Sequence, residues 1–196
     1  MAKLLFQGHG SLRITAGDGR VIYVDPFDGE GYDRPASLIL VTHQHEDHNE
    51  VGLCAQKLGC AIVTEAEALA GGKHNSFSFD GIEVQAVEAH NQNHKVEECV
   101  GYVITVDGVK IYVSGDTSRT KQMETFPALQ LDYALLCGDG IYNMDPAEAA
   151  ECARIIGAKR NILIHLGPGE NFDAEKAKAW GAPNKLFLAH GEEISL

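Results

Sequence analysis

Four side chains able to bind a metal ion stand within six residues in His43-Gln44-His45-Glu46-Asp47-His48, directly after the apolar run at 38–41. A segment this dense in donors belongs in a loop at the carboxyl end of a strand, where other parts of the chain can complete its coordination. In an extended loop, residues two apart project to the same side, so His43 and His45 can reach one cation. Asp47 and His48 begin the turn that follows and can aim a carboxylate and an imidazole at a second point about 3.5–4 Å away, the usual spacing of paired catalytic ions. The plain alternative, a solvated polar loop, does not account for such density.

Composition narrows the rest. The 196 residues are 44% hydrophobic and 22% charged, which suits a globular chain with a sizeable core, read here as a single domain over 1–196. Acidic side chains number 28 against 16 basic ones, a formal net charge of −12 that repels phosphate backbones and anionic lipid. No nucleic-acid partner and no membrane partner is expected; the partner is a small-molecule substrate, and the sequence does not show whether the chain forms homo-oligomers. No apolar run reaches the length of a membrane helix, and residues 1–7 are too short and weakly apolar for an export signal, so a cytoplasmic location is expected. The five cysteines lack CxxC spacing and read as small buried residues. Histidine, with nine copies, is the unusual count.

Strand signals recur at 3–7, 12–16, 20–24 and 38–41, read as an antiparallel meander with Asp18-Gly19 as a type I′ turn. Val51, Cys54, Ala55 and Leu58 follow at helical spacing and predict a helix over 49–58 ended by Gly59. A strand at 61–64 and a short helix at 65–70 come next, then hairpins turned at Asp80-Gly81 and Asp107-Gly108. Strands at 133–136, 160–164 and 185–188 alternate with helices at 145–156, capped by Asp145 with Pro146 first inside, and at 173–180. Hairpins first and strand–helix alternation later predict layered α and β structure.

Further ligands should come from other strand ends. His90 follows the strand at 82–87, Asp116 follows the strand at 110–113, and His165 ends the strand at 160–164. His94, four residues after His90, competes with it for the same role. His190, near the end of the last strand, is either a catalytic group entering the pocket or a surface histidine. Asp25 is well placed to hold the far nitrogen of a metal-binding imidazole, as such residues do, or else to start a turn. His9 is a second candidate for such support. Tyr142, Asn143 and Met144 can line the pocket, and specificity is expected in the loops 27–35, 90–99 and 138–144.

His43-Gln44-His45-Glu46-Asp47-His48 matches the HxHxDH signature of the metallo-β-lactamase superfamily, and His90, Asp116 and His165 fall in that superfamily's order. Gly8-His9-Gly10-Ser11, Val24-Asp25-Pro26-Phe27, Gly115-Asp116-Thr117 and 144–149 resemble more specifically the metal-dependent hydrolases that include the L-ascorbate-6-phosphate lactonases. The resemblance implies an α/β fold, an αββα sandwich of two mixed sheets packed face to face with helices outside. It also implies two divalent metal ions, zinc first and manganese, iron or nickel as alternatives. By that analogy His43, His45 and His90 hold one ion, Asp47, His48 and His165 the other, and Asp116 bridges them. Asp47 is the leading catalytic residue and His190 a second. The nucleophile is then a metal-bridging hydroxide.

The function expected is hydrolysis of a small anionic ester, lactone or phosphodiester. A mononuclear iron persulfide dioxygenase and a non-catalytic metal- or metabolite-binding protein on the same scaffold are the alternatives, separable by metal identity and by turnover. Nuclease activity is disfavoured by the absence of a basic stripe and by 7% aromatic content.

Overall fold

A computed structural model describes all residues, 1–196. β1 (Lys3–Gly8), β2 (Ser11–Thr15) and β3 (Val21–Val24) form an antiparallel ribbon. β4 (Ala36–Leu40) then joins β3 in parallel, and β5 (Gln56–Val63) joins β4 in parallel. The opening is therefore no simple meander: β4 runs in the same direction as β3, which takes a crossing loop rather than a hairpin turn. The second sheet starts with β6 (Ser76–Phe79), β7 (Ile82–Glu88), β8 (Val100–Val106) and β9 (Val109–Val113), all antiparallel, and continues in parallel with β10 (Tyr133–Cys137) and β11 (Arg160–Ile164). A short β12 (Glu193–Ser195), not foreseen from sequence, returns to pair antiparallel with β1. Each sheet has six strands, in the orders β12-β1-β2-β3-β4-β5 and β11-β10-β9-β8-β7-β6.

The sheets face each other across a core of alternate side chains. Leu38 and Leu40 of β4 point inward with Tyr102 and Ile104 of β8 and Leu135 of β10, while Ile39, Val103, Ala134 and Leu136 belong to the outer faces. Strands buried on both faces account for the unbroken apolar runs in the sequence. Helix α2 (Pro146–Ile156), a 3-10 segment Lys121–Leu129 and Trp180 after α3 (Ala174–Ala179) cover the second sheet. The first sheet is covered instead by Tyr32 and Cys54, from the two loops that flank β4. Two sheets packed face to face are thus as expected, but helices flank one side of the sandwich and loops the other. The short α1 (Glu65–Ala68) adds only Ala68 to the space between the sheets.

Local signals with their own chemistry were realised. Asp80-Gly81 and Asp107-Gly108 both take positive φ at both positions, as a type I′ turn requires. Asp145 caps α2 through the Glu148 N–H at 2.8 Å, with Gly157 left-handed at the far end. Asp18-Gly19 differs: only Gly19 (φ 88°) is left-handed, and its N–H donates to the Ala16 carbonyl in a three-residue loop.

Two elements read from periodicity did not form. In place of the helix at 49–58, a single 3-10 turn Val51–Leu53 gives way to β5. Cys54 is buried but Leu58 is fully exposed, so the apolar positions never formed one stripe, and Gly52 weakens a helix interior by about 1 kcal/mol. Backbone bonds Ala55 N–H to Tyr32 O and Ala36 N–H to Ala55 O hold the segment extended against β4. The run 185–188 makes only one bridge, Asn161 to Lys185, before the chain leaves the sheet.

Candidate metal centre

Because β3–β4 and β9–β10–β11 run parallel, their carboxyl ends collect on one edge, and the donors stand just beyond those ends. Asp25 follows β3, His43 to His48 follow β4, Asp116 follows β9, Asp139 follows β10 and His165 follows β11. His9 and His94 arrive from beyond β1 and β7. Three of the seven non-glycine residues with left-handed backbone are His9, Asp25 and His165, a conformation that costs on the order of 1 kcal/mol each and collects here rather than in turns alone. Gly10 leaves the approach open, since a β-carbon there would lie 3.0 Å from the His48 ring.

The donors form two groups. In one, His43 Nε2 lies 3.0 Å from His45 Nδ1, and His94 Nε2 lies 3.2 Å from the same nitrogen. In the other, His48 Nε2 and His165 Nε2 are 3.2 Å apart, with Asp47 Oδ2 3.9 Å from His165. Asp116 stands between. Its Oδ1 lies 3.5 Å from His48 Nε2 and 3.3 Å from His165 Nε2, while its Oδ2 lies 3.4 Å from His94 Nε2 and 4.0 Å from His43 Nε2.

Four of the converging imidazoles, all but His45 and His9, are held from behind through their other nitrogen. His48 Nδ1 is 2.9 Å from Asp25, whose carboxylate also accepts the Thr42 N–H and hydroxyl at 2.7 and 2.8 Å. His165 Nδ1 is 3.1 Å from Asp139 Oδ2, His43 Nδ1 3.0 Å from the Thr42 hydroxyl, and His94 Nδ1 2.9 Å from the Asn91 carboxamide oxygen. Such contacts orient a metal-binding imidazole and leave its Nε2 free to coordinate.

Burial and neighbouring charges together set the ionisation of these groups. It pushes His43 down to about 2, with His48 adding to the effect, so this imidazole is neutral and its lone pair available. Burial also lowers His94, against the pull of Asp116. At His48 burial works the same way but is outweighed by Asp116 and Asp25, which raise it to about 9. Burial opposes ionisation of Asp116, yet His165, His48 and His43 hold it at about 2. Asp47 is likewise kept below the ordinary carboxylate range, against its burial, by the His9 hydrogen bond at 3.0 Å and the imidazoles around it.

The donor set fits divalent cations. Nitrogen–nitrogen separations of 3.0 to 3.2 Å approach the edge, about 3.3 Å, of a tetrahedron of imidazoles around zinc. Asp116 Oδ1 is buried without a hydrogen-bond partner, an omission that a cation between it and the imidazoles would repair. Both groups reach a cavity of about 230 Å³ lined by His45, His94, Asp47, His165 and Asp116, with Asn93 and Tyr142 at its rim.

Six of the residues expected from sequence as metal ligands, namely His43, His45, Asp47, His48, Asp116 and His165, come together here. His90 does not. Its backbone is bonded to Thr117 and Ser118, and the turn closed by Asn91 delivers His94 instead as the third imidazole beside His43 and His45. His190 lies apart, 3.1 Å from Asp28 Oδ2 and flanked by Phe6 and Phe172. His9 touches the site through Asp47, and its Nδ1 is buried without a partner. Met144 is packed under the helical flank, whereas Tyr142 lines the cavity. Asp139 and Asn91 were not singled out; the position of Asp139 between glycines just past a strand, like that of Asp116, was the available signal.

Residues 3–165 match the family model described as the beta-lactamase superfamily domain. A UPF0173 metal-dependent hydrolase of Nitratidesulfovibrio vulgaris is 30% identical over 194 aligned positions, spanning 84% of this chain and 80% of the relative. A crystal structure of a candidate metal-dependent hydrolase from Parabacteroides distasonis superposes with a TM-score of 0.75 at 26% identity, over 94% of this chain and 91% of that one. The metallo hydrolase Igni18 of Ignicoccus hospitalis shares the fold at a TM-score of 0.77 and 19% identity, covering 98% and 97% of the two chains. With the family model spanning most of its length and the histidine–aspartate groups at the edge of its paired sheets, the chain belongs to the beta-lactamase superfamily and has the metallo-β-lactamase fold.

Proposed function

We propose that the chain is a metal-dependent hydrolase with two cation positions, acting on a small anionic ester, lactone or phosphodiester. The observation that carries this reading is Asp116, a single buried carboxylate that turns one oxygen to His48 and His165 and the other to His43 and His94. His43, His45 and His94 on one side and Asp47, His48 and His165 on the other, with Asp116 between, would hold divalent cations, which would lower the pKa of bound water and polarise the oxygen of the scissile group. Zinc is the first choice for so imidazole-rich a donor set, with manganese, iron and nickel as alternatives.

The chain's own residues do the rest. The four imidazoles with support behind them arrive pre-aimed, so little reorganisation accompanies reaction. Asp47, ionised and half-buried at the cavity wall, accepts a proton from the attacking water and can return it to the leaving oxygen. His9 fixes the orientation of that carboxylate through the 3.0 Å contact. The −12 net charge does not conflict with an anionic substrate, because the cations create a local positive focus.

The test is metal analysis of protein purified without chelator, followed by stripping and add-back. About two equivalents of zinc or manganese, with hydrolysis of activated esters or phosphodiesters lost on chelation and restored by metal, is the expected result. Hydrolysis indifferent to chelation, or protein that binds no divalent ion, overturns the proposal. Sugar-phosphate lactones and cyclic phosphodiesters are the natural substrates to screen next.

A further inference from the structure

The loop that closes the cavity exposes two large apolar side chains, Ile141 at 73% and Tyr142 at 64%. Slack in the chain does not explain this exposure. Asp139 Oδ1 accepts three successive backbone N–H groups, from Ile141, Tyr142 and Asn143, at 2.6, 2.7 and 3.3 Å. The Tyr142 carbonyl in turn accepts from the side-chain amides of Asn91 and Asn93 at 3.0 and 2.9 Å. Asp139 and Asn91 are also the groups that hold His165 and His94 from behind. The lip is therefore pinned to both halves of the centre, and Tyr142 is held at the cavity with Ile141 exposed next to it in the chain.

What else could recognise a substrate is limited. Apart from Tyr142, the cavity wall consists of the metal-facing histidines and aspartates and Asn93, and it includes no lysine or arginine. Lys95, in the neighbouring recess, is paired with Glu98 at 2.9 Å. No cationic side chain lines the cavity itself, so negative charge on the substrate falls to the cation positions, and the part of the molecule that projects outward meets Tyr142, with Ile141 exposed beside it. Exposed apolar side chains beside a polar reaction centre mark the place where an apolar group is covered.

Resting on the hydrolase reading above, we propose that Tyr142, with Ile141 beside it, is the specificity-determining contact of this site, selecting substrates that carry an aryl-sized apolar group next to the anionic, cleaved centre. Stacking or edge contact with the phenol ring and burial of Ile141 supply the preference, and pinning by Asp139 and Asn91 spares the loop an ordering cost on binding.

Calorimetric titration of the zinc-loaded full chain with phenylphosphonate and with methylphosphonate tests this without turnover. The phenyl compound should bind about tenfold more tightly, the ratio should fall to about one in the double variant Ile141→Ala, Tyr142→Ala, and Tyr142→Phe should retain it. Equal binding of the two phosphonates to the wild type, or a ratio that survives the double substitution, overturns the proposal. The two readings fail separately. Chelator-sensitive hydrolysis without discrimination between phosphonates removes the apolar lip and leaves the hydrolase, whereas discrimination without hydrolysis of any ester or phosphodiester supports the lip and removes the hydrolase.

Discussion

The two halves of the centre use the same residue type and tune it oppositely. His43 and His94 are held from behind by neutral groups, the Thr42 hydroxyl and the Asn91 carboxamide, and burial keeps both imidazoles deprotonated. His48 and His165 are held by the carboxylates of Asp25 and Asp139, and His48 retains a proton up to about 9. His43 and His94 are ready donors, whereas His48 is a more basic one that must give up a proton before it can bind a cation. The lesson is that the identity of the group behind an imidazole, rather than the imidazole, sets how each half trades protons for metal.

The largest expected effect abolishes the comparison. Asp116→Ala removes the carboxylate both halves share, so metal content should fall in both and kcat/KM should drop by at least about a thousandfold. Full loading of either half at unchanged affinity, seen by titration calorimetry, would show that the carboxylate is not shared.

Next comes the neutral half taken alone. His94→Ala should cost one equivalent of metal and about a hundredfold or more in kcat/KM, while His90→Ala should stay within about threefold of wild type. The reverse pattern would return His90 to the ligand set. Smaller still is the loss of support in the charged half: Asp25→Asn and Asp139→Asn should each weaken metal affinity by about 10- to 100-fold, measured by competition with a chromophoric chelator.

The smallest effect separates the halves by pH in metal-free protein. His48 has a raised pKa, so its contribution to stability is complete below about 6.5, the ordinary histidine value, and is lost as pH rises through about 9. His43 has a lowered one, so below about 6.5 the unfolded chain takes up a proton that the folded chain refuses, and stability falls on the acid side. Urea unfolding should show both slopes, and Asp25→Asn should flatten only the alkaline one. A slope that is unchanged in that variant would break the assignment of charge to Asp25.

Much of this was legible before any folding was considered. The donor block at 43–48, the glycine turns at 80–81 and 107–108 and the capped helix after Asp145 all depend on neighbours within a few residues, and the structure realises each of them. Asp116 and His165 were readable because each lies just beyond the end of an apolar strand.

What only the tertiary structure decided depends on pairings distant in sequence. Helical spacing over 49–58 lost to a strand because β4, whose Ala36 pairs with Gln56, offered its edge and Tyr32 its carbonyl. His94 displaced His90 because a turn at Asn91, tied to the loop at 142–143, set which ring faces His45. The supports Asp139 and Asn91 and the exposed lip at Tyr142 follow from the same long-range contacts. Residue type and local spacing determine which side chains can bind a cation; the register of parallel strands determines which of them meet, because a donor's reach is a few ångströms and only the assembled sheet edge brings distant donors within it.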